Sequence, residues 1–498
     1  MAFAQTLELF SRKRGTYTSG PSESITAYRL FRKGVRVMSD FMIKRPLYGL
    51  LAGAALMTAC ASAPQSEVPV TSSEDGAGGG TVTAPTVPSL PPFSPSGHAG
   101  MDAWRLDFAD RAIADGRDAT VVYETLRSIS PLDLYLSENV EIAGTGVADQ
   151  AEFAKPIWDY VGSAVTESRK TRGAERLIEL SATFDQIEAA YGVDREAITA
   201  IWAMETNLGS YIGNFDAPNT LANMAVEGRR QRFAENELTA LMKMQERGEV
   251  DRDALQSGWA GAMGQTQFMP STFLAYAVDF DGDGKKDLWK SEADALGSAA
   301  NYLKASGYQA GQPWGVEVLA PNDFDWSLAD GEDRRLSTWS SYGLSPMSGA
   351  PFGASETTYA ELWLPTGATG PKYLLFKNFD VFKTYNRSDS YAFAVGLLTD
   401  GVAGQSGPVT SWPTDLELLN KRDIMVLHSN LNRHLDISTV QAADEETLDR
   451  LGFDAGVIDG IAGRGTKGAL QRFQKANEIV PADGYPTTIA LQQVQAAG

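Results

Sequence analysis

The chain of 498 residues is predicted to be mainly α with one small β element, on three observations. Apolar residues recur at three-four spacing through several long segments, which is the period of a helix face. Those segments end near glycine, where helices stop. Strand-like runs are confined to one region, residues 340–402, where "TYAELWLP" and "KYLLFKNF" stand close together.

Each element follows in order. Residues 61–98 are rich in Pro, Ser, Thr and Gly and cannot bury enough apolar surface to order themselves; they read as a flexible tether. "MDAWRLDFADRAIADG" and "GAERLIELSATFDQIEAAYG" read as helices between residues 101 and 191. "AITAIWAMETNLGS" is a helix with Asp194 as its N-cap, ending about Leu208 and Gly209. Its Ile198, Ile201, Trp202 and Glu205 lie at i, i+3, i+4 and i+7, so a carboxylate sits on the apolar stripe. Burying an unpaired charge is costly; Glu205 is either paired structurally or used. "ANMAVEGRRQRFAENELTALMKMQERG" is a further amphipathic helical stretch, and residues 297–307 another, with Tyr302 inside it. Between them "GWAGAMGQTQFMPSTF" has too much glycine for a helix interior and suggests close backbone approach, to a ligand or to another helix. "SDSYAFAVGLLTDGV" returns to helix, and "GPVTSWPTDLELLNK" marks a boundary near residues 405–418. Beyond it, "TKGALQRFQKANEI" is an amphipathic helix with Thr466 as candidate cap.

Composition excludes several functions. A formal charge of −20 disfavours nucleic acid as a partner. Three histidines and one cysteine do not assemble a zinc site of His and Cys ligands. No GxxxxGK[ST] loop supports nucleotide hydrolysis. Cys60 has no disulfide partner. It follows a positive segment and the apolar run "LYGLLAGAALM", then "TA", which reads as a secretory signal too short for a confident membrane span. Small residues just before it resemble the lipobox of bacterial lipoproteins, whose cysteine is acylated. With Ala61 and Ser62 and no aspartate next to Cys60, that resemblance implies a periplasmic protein anchored in outer-membrane lipid.

"DFDGDGKKDLWKSEAD" places Asp279, Asp281 and Asp283 at positions 1, 3 and 5, Gly284 at 6 and Asp287 at 9. That is the spacing of an EF-hand-type calcium loop. Position 12 is Lys290, of the wrong sign, which leaves Asp294 or Glu292 to substitute in a longer loop. A calcium here would stiffen the fold; no cofactor is needed for chemistry.

In this order, "METNLG", "GRRQRF", "GAMGQTQFMPSTF", "YAVDFDGDGKKDLW", "GSAANYLKASGY" and "NFDVFKTYNRSDSYAFAVGLL" together resemble the membrane-bound lytic murein transglycosylase B family, over residues 101–404. The resemblance implies a lysozyme-like helical catalytic domain, here residues 99–404, that cleaves peptidoglycan glycan strands. It implies Glu205 as the single catalytic acid. Gln267, Tyr160, Tyr302 and Tyr385 match residues that line the sugar cleft, and Arg229 and Arg230 a paired-arginine motif near peptide or glycan. Asp279, Asp281, Asp283, Lys285 (through its carbonyl) and Asp294 match a calcium loop.

The implied substrate bond is the β-1,4 link between N-acetylmuramic acid and N-acetylglucosamine. Glu205 would protonate the leaving oxygen, and apolar surroundings disfavour a carboxyl's charged form. It would then take the proton of the muramic C6 hydroxyl, closing a 1,6-anhydro ring. One carboxylate suffices, where ordinary glycosidases use two. Two alternatives stay open: a hydrolytic muramidase pairing Glu205 with Asp216 or another acid, and a peptidoglycan-binding scaffold without activity. Residues 418–498, with Asp459-Gly460, Gly463, Thr466, Ala469, Phe473 and Gln474, resemble a small three-helix peptidoglycan-binding domain. Tethering it would raise the effective concentration of the enzyme at the wall. The protein is expected to be a monomer.

Overall fold

The computed structural model describes residues 91–136, 155–433, 453, 455, 456, 458 and 460–497. The lipobox-like Cys60, most of the tether and Asp459 lie outside the described residues.

Helices dominate, as expected. α1 (Ala99–Ala114), α2 (Ala119–Leu126), α3 (Asp133–Leu136) and α4 (Ile157–Ala164) come first. α5 (Glu167–Glu179) and α6 (Ser181–Tyr191) follow, then α7 (Arg195–Thr206), which carries Glu205. α8 (Ala217–Glu227), α9 (Gln231–Glu246), α10 (Pro270–Tyr276) and α11 (Glu292–Ala305) complete the first part of the catalytic body. Two expected helices are each broken. One divides at Leu180 into α5 and α6. The "ANMAVEGRRQRF" stretch divides into α8 and α9 at Gly228, whose φ of +95° only glycine adopts readily.

The β content is larger than two strands. β1 (Phe215–Asp216) pairs with β2 (Gln256–Ser257). A second, antiparallel sheet is built from β3 (Gly315–Leu319), β4 (Asp333–Arg335), β5 (Ser345–Pro346), β6 (Tyr359–Trp363) and β7 (Tyr373–Leu375) in the order β4-β6-β7-β3-β5. "TYAELWLP" supplies β6. "KYLLFKNF" is strand only as far as Leu375, and its second half opens α13 (Lys377–Phe382), after the short α12 (Leu336–Ser341). The strands alternate between two cores. Trp363, Tyr373 and Leu375 pack with Trp314 and Phe393 of the helical body, whereas Leu362 and Leu374 pack with Leu336 and Trp339. Both faces are therefore apolar, which hides the period-two signal in the sequence.

α14 (Asp389–Val402) packs along α7 in the main core: Ile198, Ile201 and Trp202 meet Phe393, Val395 and Leu398. Burying such side chains contributes roughly 1.5–3 kcal/mol each. Gly396 is required on α14, since a Cβ there would stand 2.3 Å from the Trp314 ring. A second core gathers Phe108, Leu221, Leu241, Met263, Phe268 and Phe273.

Among the described residues the C-terminal module holds three helices, α15 (Lys421–Arg433), α16 (Arg464–Ala476) and α17 (Thr488–Ala496), around Leu427, Leu431, Leu470 and Phe473. Thr466 is not the cap of α16. It lies inside the first turns, buried, with its hydroxyl 2.8 Å from His428 Nε2, and Gly463 holds the cap position.

Candidate active site

α7 is buried along nearly its whole length, and Glu205 stands in its last turn. The start of the helix differs from expectation. Asp194 holds the N-cap position without capping the helix, because its Oδ2 accepts from the Tyr308 hydroxyl at 2.9 Å and the Gly311 amide at 3.1 Å. The end differs too. Asn207 is the left-handed C-cap, and Leu208 and Gly209 continue with φ of +62° and +72°. Left-handed non-glycine residues are disfavoured by ~1–2 kcal/mol each. Tertiary contacts hold them there. The Thr206 hydroxyl donates to the Gln265 carbonyl at 2.6 Å and accepts from the Gly209 amide at 3.0 Å. A Cβ on Gly209 would meet Gln265 Oε1 at 2.5 Å. The glycine-rich "GAMGQTQF" segment is thus the backbone that approaches the end of α7, as its composition suggested.

Glu205 is half-buried, and its Oε1 accepts a short hydrogen bond from the Tyr391 phenol. Tyr391 is 5% exposed, on the first turn of α14. Burial, and then the Glu205 charge, push the Tyr391 hydroxyl well above the usual phenol range, so it remains a donor. Tyr385 is raised by the same two causes. Its Oη is buried and, among the described residues, has no hydrogen-bond partner. An orphaned buried hydroxyl costs roughly 1–3 kcal/mol, and beside a carboxylate it is a hydroxyl suited to a ligand. Sequence reasoning passed over Tyr391, although Ser388 as N-cap three residues before it marks the helix start.

The other tyrosines divide. Tyr385, Tyr302 and Phe268 form one aromatic cluster, with ring centroids 5.2 Å apart for Tyr302–Tyr385 and 6.1 Å for Phe268–Tyr385. The Tyr302 hydroxyl donates to the Thr384 carbonyl at 2.9 Å, so this residue positions the Tyr385 loop. Tyr160 is buried with Ala394 and packs with Met204, and its side chain acts electrostatically on Tyr391. Gln267 has a φ of +50° and donates from Nε2 to the Gly264 carbonyl at 2.9 Å and the Ile212 carbonyl at 3.3 Å. Its Oε1 lies so close to Gly258 that a Cβ there would be 2.8 Å away.

Arg229 and Arg230 sit at the corner between α8 and α9. Arg229 pairs with Glu227, and Arg230 lies 4.2 Å from the Phe233 ring centroid. Arg230 acts on Tyr135, whose hydroxyl reaches the Trp259 carbonyl. Through Tyr135, Arg230 is linked to the Trp259 loop. Asp216 is tied to Arg252 at 2.5 Å and caps α8 by accepting from the Asn219 amide at 3.0 Å.

The acidic loop is drawn together by its own carboxylates. One carboxylate oxygen each of Asp279, Asp281 and Asp294 lies within 4.8 Å of the others. Asp294 is fully buried and accepts from the Phe280 amide at 2.7 Å and the Asp287 amide at 2.8 Å. Burial raises its carboxyl. Asp283 stands outside that cluster, and its Oδ1 accepts from the Lys285 amide at 2.9 Å. Glu292 pairs with Arg176 and is not in the cluster. Three convergent carboxylates with one fully buried fit a hard dication, which takes oxygen ligands.

Comparison with known proteins places the chain in a family. The family described as "Transglycosylase SLT domain" matches residues 100–400, and "Putative peptidoglycan binding domain" matches 440–493. Membrane-bound lytic murein transglycosylase B of Escherichia coli is 30% identical over 373 residues, which are 73% of this chain and 99% of that protein. The crystal structure of SltB3 from Pseudomonas aeruginosa in complex with NAG-anhNAM-pentapeptide is 38% identical and superposes with a TM-score of 0.70, covering 80% of this chain and all of that one. The Escherichia coli lytic transglycosylase SLT35 in complex with calcium is 29% identical with a TM-score of 0.50, over 60% of this chain and 92% of that one.

Proposed function

The chain belongs to the SLT transglycosylase family and is a peptidoglycan lytic transglycosylase; from that premise we propose that Glu205 is its one catalytic carboxyl, acid first and base second. The substrate bond is the β-1,4 link of N-acetylmuramic acid to N-acetylglucosamine. Glu205 gives its proton to the glycosidic oxygen, the C1–O bond breaks, and the N-acetylglucosamine side leaves as an alcohol. The muramic acetamido group meets the positive charge at C1. Glu205, now ionised, takes the proton from the C6 hydroxyl while O6 bonds to C1. Atoms balance without water, and the product carries a 1,6-anhydro end. The acid-then-base role follows general acid-base logic.

The observation that carries this reading is the junction of Glu205 with the buried Tyr391 donor, beside the Tyr385 hydroxyl, which has no partner among the described residues. A fixed donor steadies the carboxylate that forms as the proton leaves. Tyr385 is the candidate to bind a sugar hydroxyl, with Tyr302 holding its loop; Tyr160 and Gln267 shape the cleft around them. The engagement of Asp216 by Arg252 and the α8 amide favours one working carboxyl over a hydrolytic pair.

Asp279, Asp281 and Asp294 would hold a structural calcium, which supplies charge compensation to the loop before α11 and no chemistry. The C-terminal module would bind glycan strands, and an acylated Cys60 would anchor the protein to the outer membrane, facing the periplasm. No described helix is long and apolar enough to cross a membrane.

The test is Glu205→Gln with purified sacculi, reading products by mass spectrometry. Anhydro-ended products are expected from the parent and a loss of roughly 10²–10⁴-fold in rate from the variant. Cleavage by the variant at the parent rate would remove Glu205 from the mechanism.

A further inference from the structure

The C-terminal module is docked on the catalytic body. On α16, Gln471 Nε2 donates to the carbonyls of Trp326 and Ala329, each at 3.2 Å, and Lys475 Nζ donates to Ser327 Oγ at 3.0 Å. Arg464, Lys467, Gln471 and Lys475 recur at three-four spacing, so one face of the helix makes this contact. In the loop after α16, Asp483 Oδ2 accepts from the Ala368 amide at 2.9 Å. Gly367 beside it has a φ of +74°, and a Cβ there would stand 2.6 Å from the same Asp483 oxygen. This surface is fitted on both sides, unlike a module held only by a tether.

Arg464 reaches the element that serves Glu205. Its Nη1 donates to Glu361 Oε2 on β6 at 2.7 Å, and its Nε to Asp389 Oδ2 at 3.4 Å. The other Asp389 oxygen accepts from Lys383 Nζ at 2.6 Å. Asp389 opens α14. The preceding Ser388 caps that helix by accepting from the Tyr391 amide at 3.3 Å, and the Tyr391 phenol bonds Glu205. Burial alone would raise the Asp389 carboxyl; the charges of Arg464, Lys383 and Lys467 outweigh it and hold Asp389 below the usual range. Asp389 is therefore an ionised group gripped from two sides, one of them the module. Removing Arg464 leaves two partly buried carboxylates with less compensation, and such groups shift to find it.

We propose that Arg464 is a positioning residue for glycan cleavage: by gripping Asp389 at the start of α14 from outside the catalytic body, it fixes the Tyr391 phenol against Glu205. The C-terminal module is then part of the active-site architecture as well as a wall-binding element. This inference rests on the role of Glu205 proposed above.

A double-mutant cycle on the full-length chain tests it. Steady-state kinetics on soluble uncrosslinked glycan strands is measured for the parent, Arg464→Ala, Tyr391→Phe and the double variant. Arg464→Ala is expected to lower kcat about fivefold with KM within about twofold, while the same change on the Tyr391→Phe background lowers kcat by less than about twofold. Arg464→Lys is expected to recover part of the loss, and it replaces the alanine variant should that one fail to give a native circular dichroism spectrum. Equal losses on both backgrounds, a change confined to KM or to sedimentation with sacculi, or a Tyr391→Phe variant as active as the parent would each overturn the proposal. Glu205→Gln runs alongside: if it is inactive while the cycle is additive, only the role of Arg464 falls, whereas an active Glu205→Gln removes the catalytic reading itself.

Discussion

Asp400 lies in the last turn of α14, where its Oδ2 accepts from Trp314 Nε1 at 3.1 Å. Burial raises its carboxyl from the usual 3.8 to about 6, against the lowering effect of the Trp314 bond. The helix C-terminus adds a further unfavourable field for a negative charge. The sign follows from proton counting. Between pH ~4 and ~6 the folded chain holds this proton more often than the unfolded chain, so stability falls as pH rises through that window. Taken whole, the rise is worth ~3 kcal/mol at neutral pH. The side chain is not wholly sequestered, and solvent screening reduces the figure to roughly 1–2 kcal/mol. Asp400→Asn removes the charge and keeps an acceptor oxygen for Trp314. Urea unfolding is expected to show the variant more stable than the parent by about 1–2 kcal/mol at pH 7.5, with the gain vanishing near pH 4. No gain at pH 7.5, or the same gain at both pH values, would refute the assignment of an ionised, poorly solvated Asp400.

Three further outcomes are expected. Asp216→Asn should keep cleavage of sacculi within about twofold of the parent and cost about 1 kcal/mol of stability through the Arg252 contact; a hundredfold loss of activity with the fold intact would restore the two-carboxylate scheme. Gly264→Ala should destabilise by about 2–4 kcal/mol in denaturant melts, because Gly264 has a φ of +70° and its Cβ would lie 2.7 Å from the Leu288 carbonyl. Calcium should raise the melting temperature of the parent in calorimetry and leave Asp294→Asn nearly unmoved; a parent indifferent to both calcium and chelator counts against the site.

The helix of Glu205 and the glycine-rich approach segment were legible because each rests on local rules: helical period and glycine's freedom. The carboxylate on an apolar stripe could be picked out for the same reason, since its spacing alone puts it on the face of Ile198, Ile201 and Trp202. The sheet was half read, for β4 and β5 are only three and two residues long and β3 lies well before the strand-like runs at residues 340–402. The first turn of α11 brings Asp294 back against Asp279 and Asp281, a meeting that the spacing of the acidic residues does not order.

By itself the sequence determined which segments are helical, where glycine lets the backbone come close, and which acid stands on a greasy face, because those follow from neighbours a few positions apart. Tertiary structure alone decided that acid's partner. Tyr391 is 186 positions away along the chain and meets Glu205 because α14 packs along α7. It also set Arg464 of the module on Asp389. Neither meeting is encoded in any short window, since both depend on how whole apolar faces close over one another.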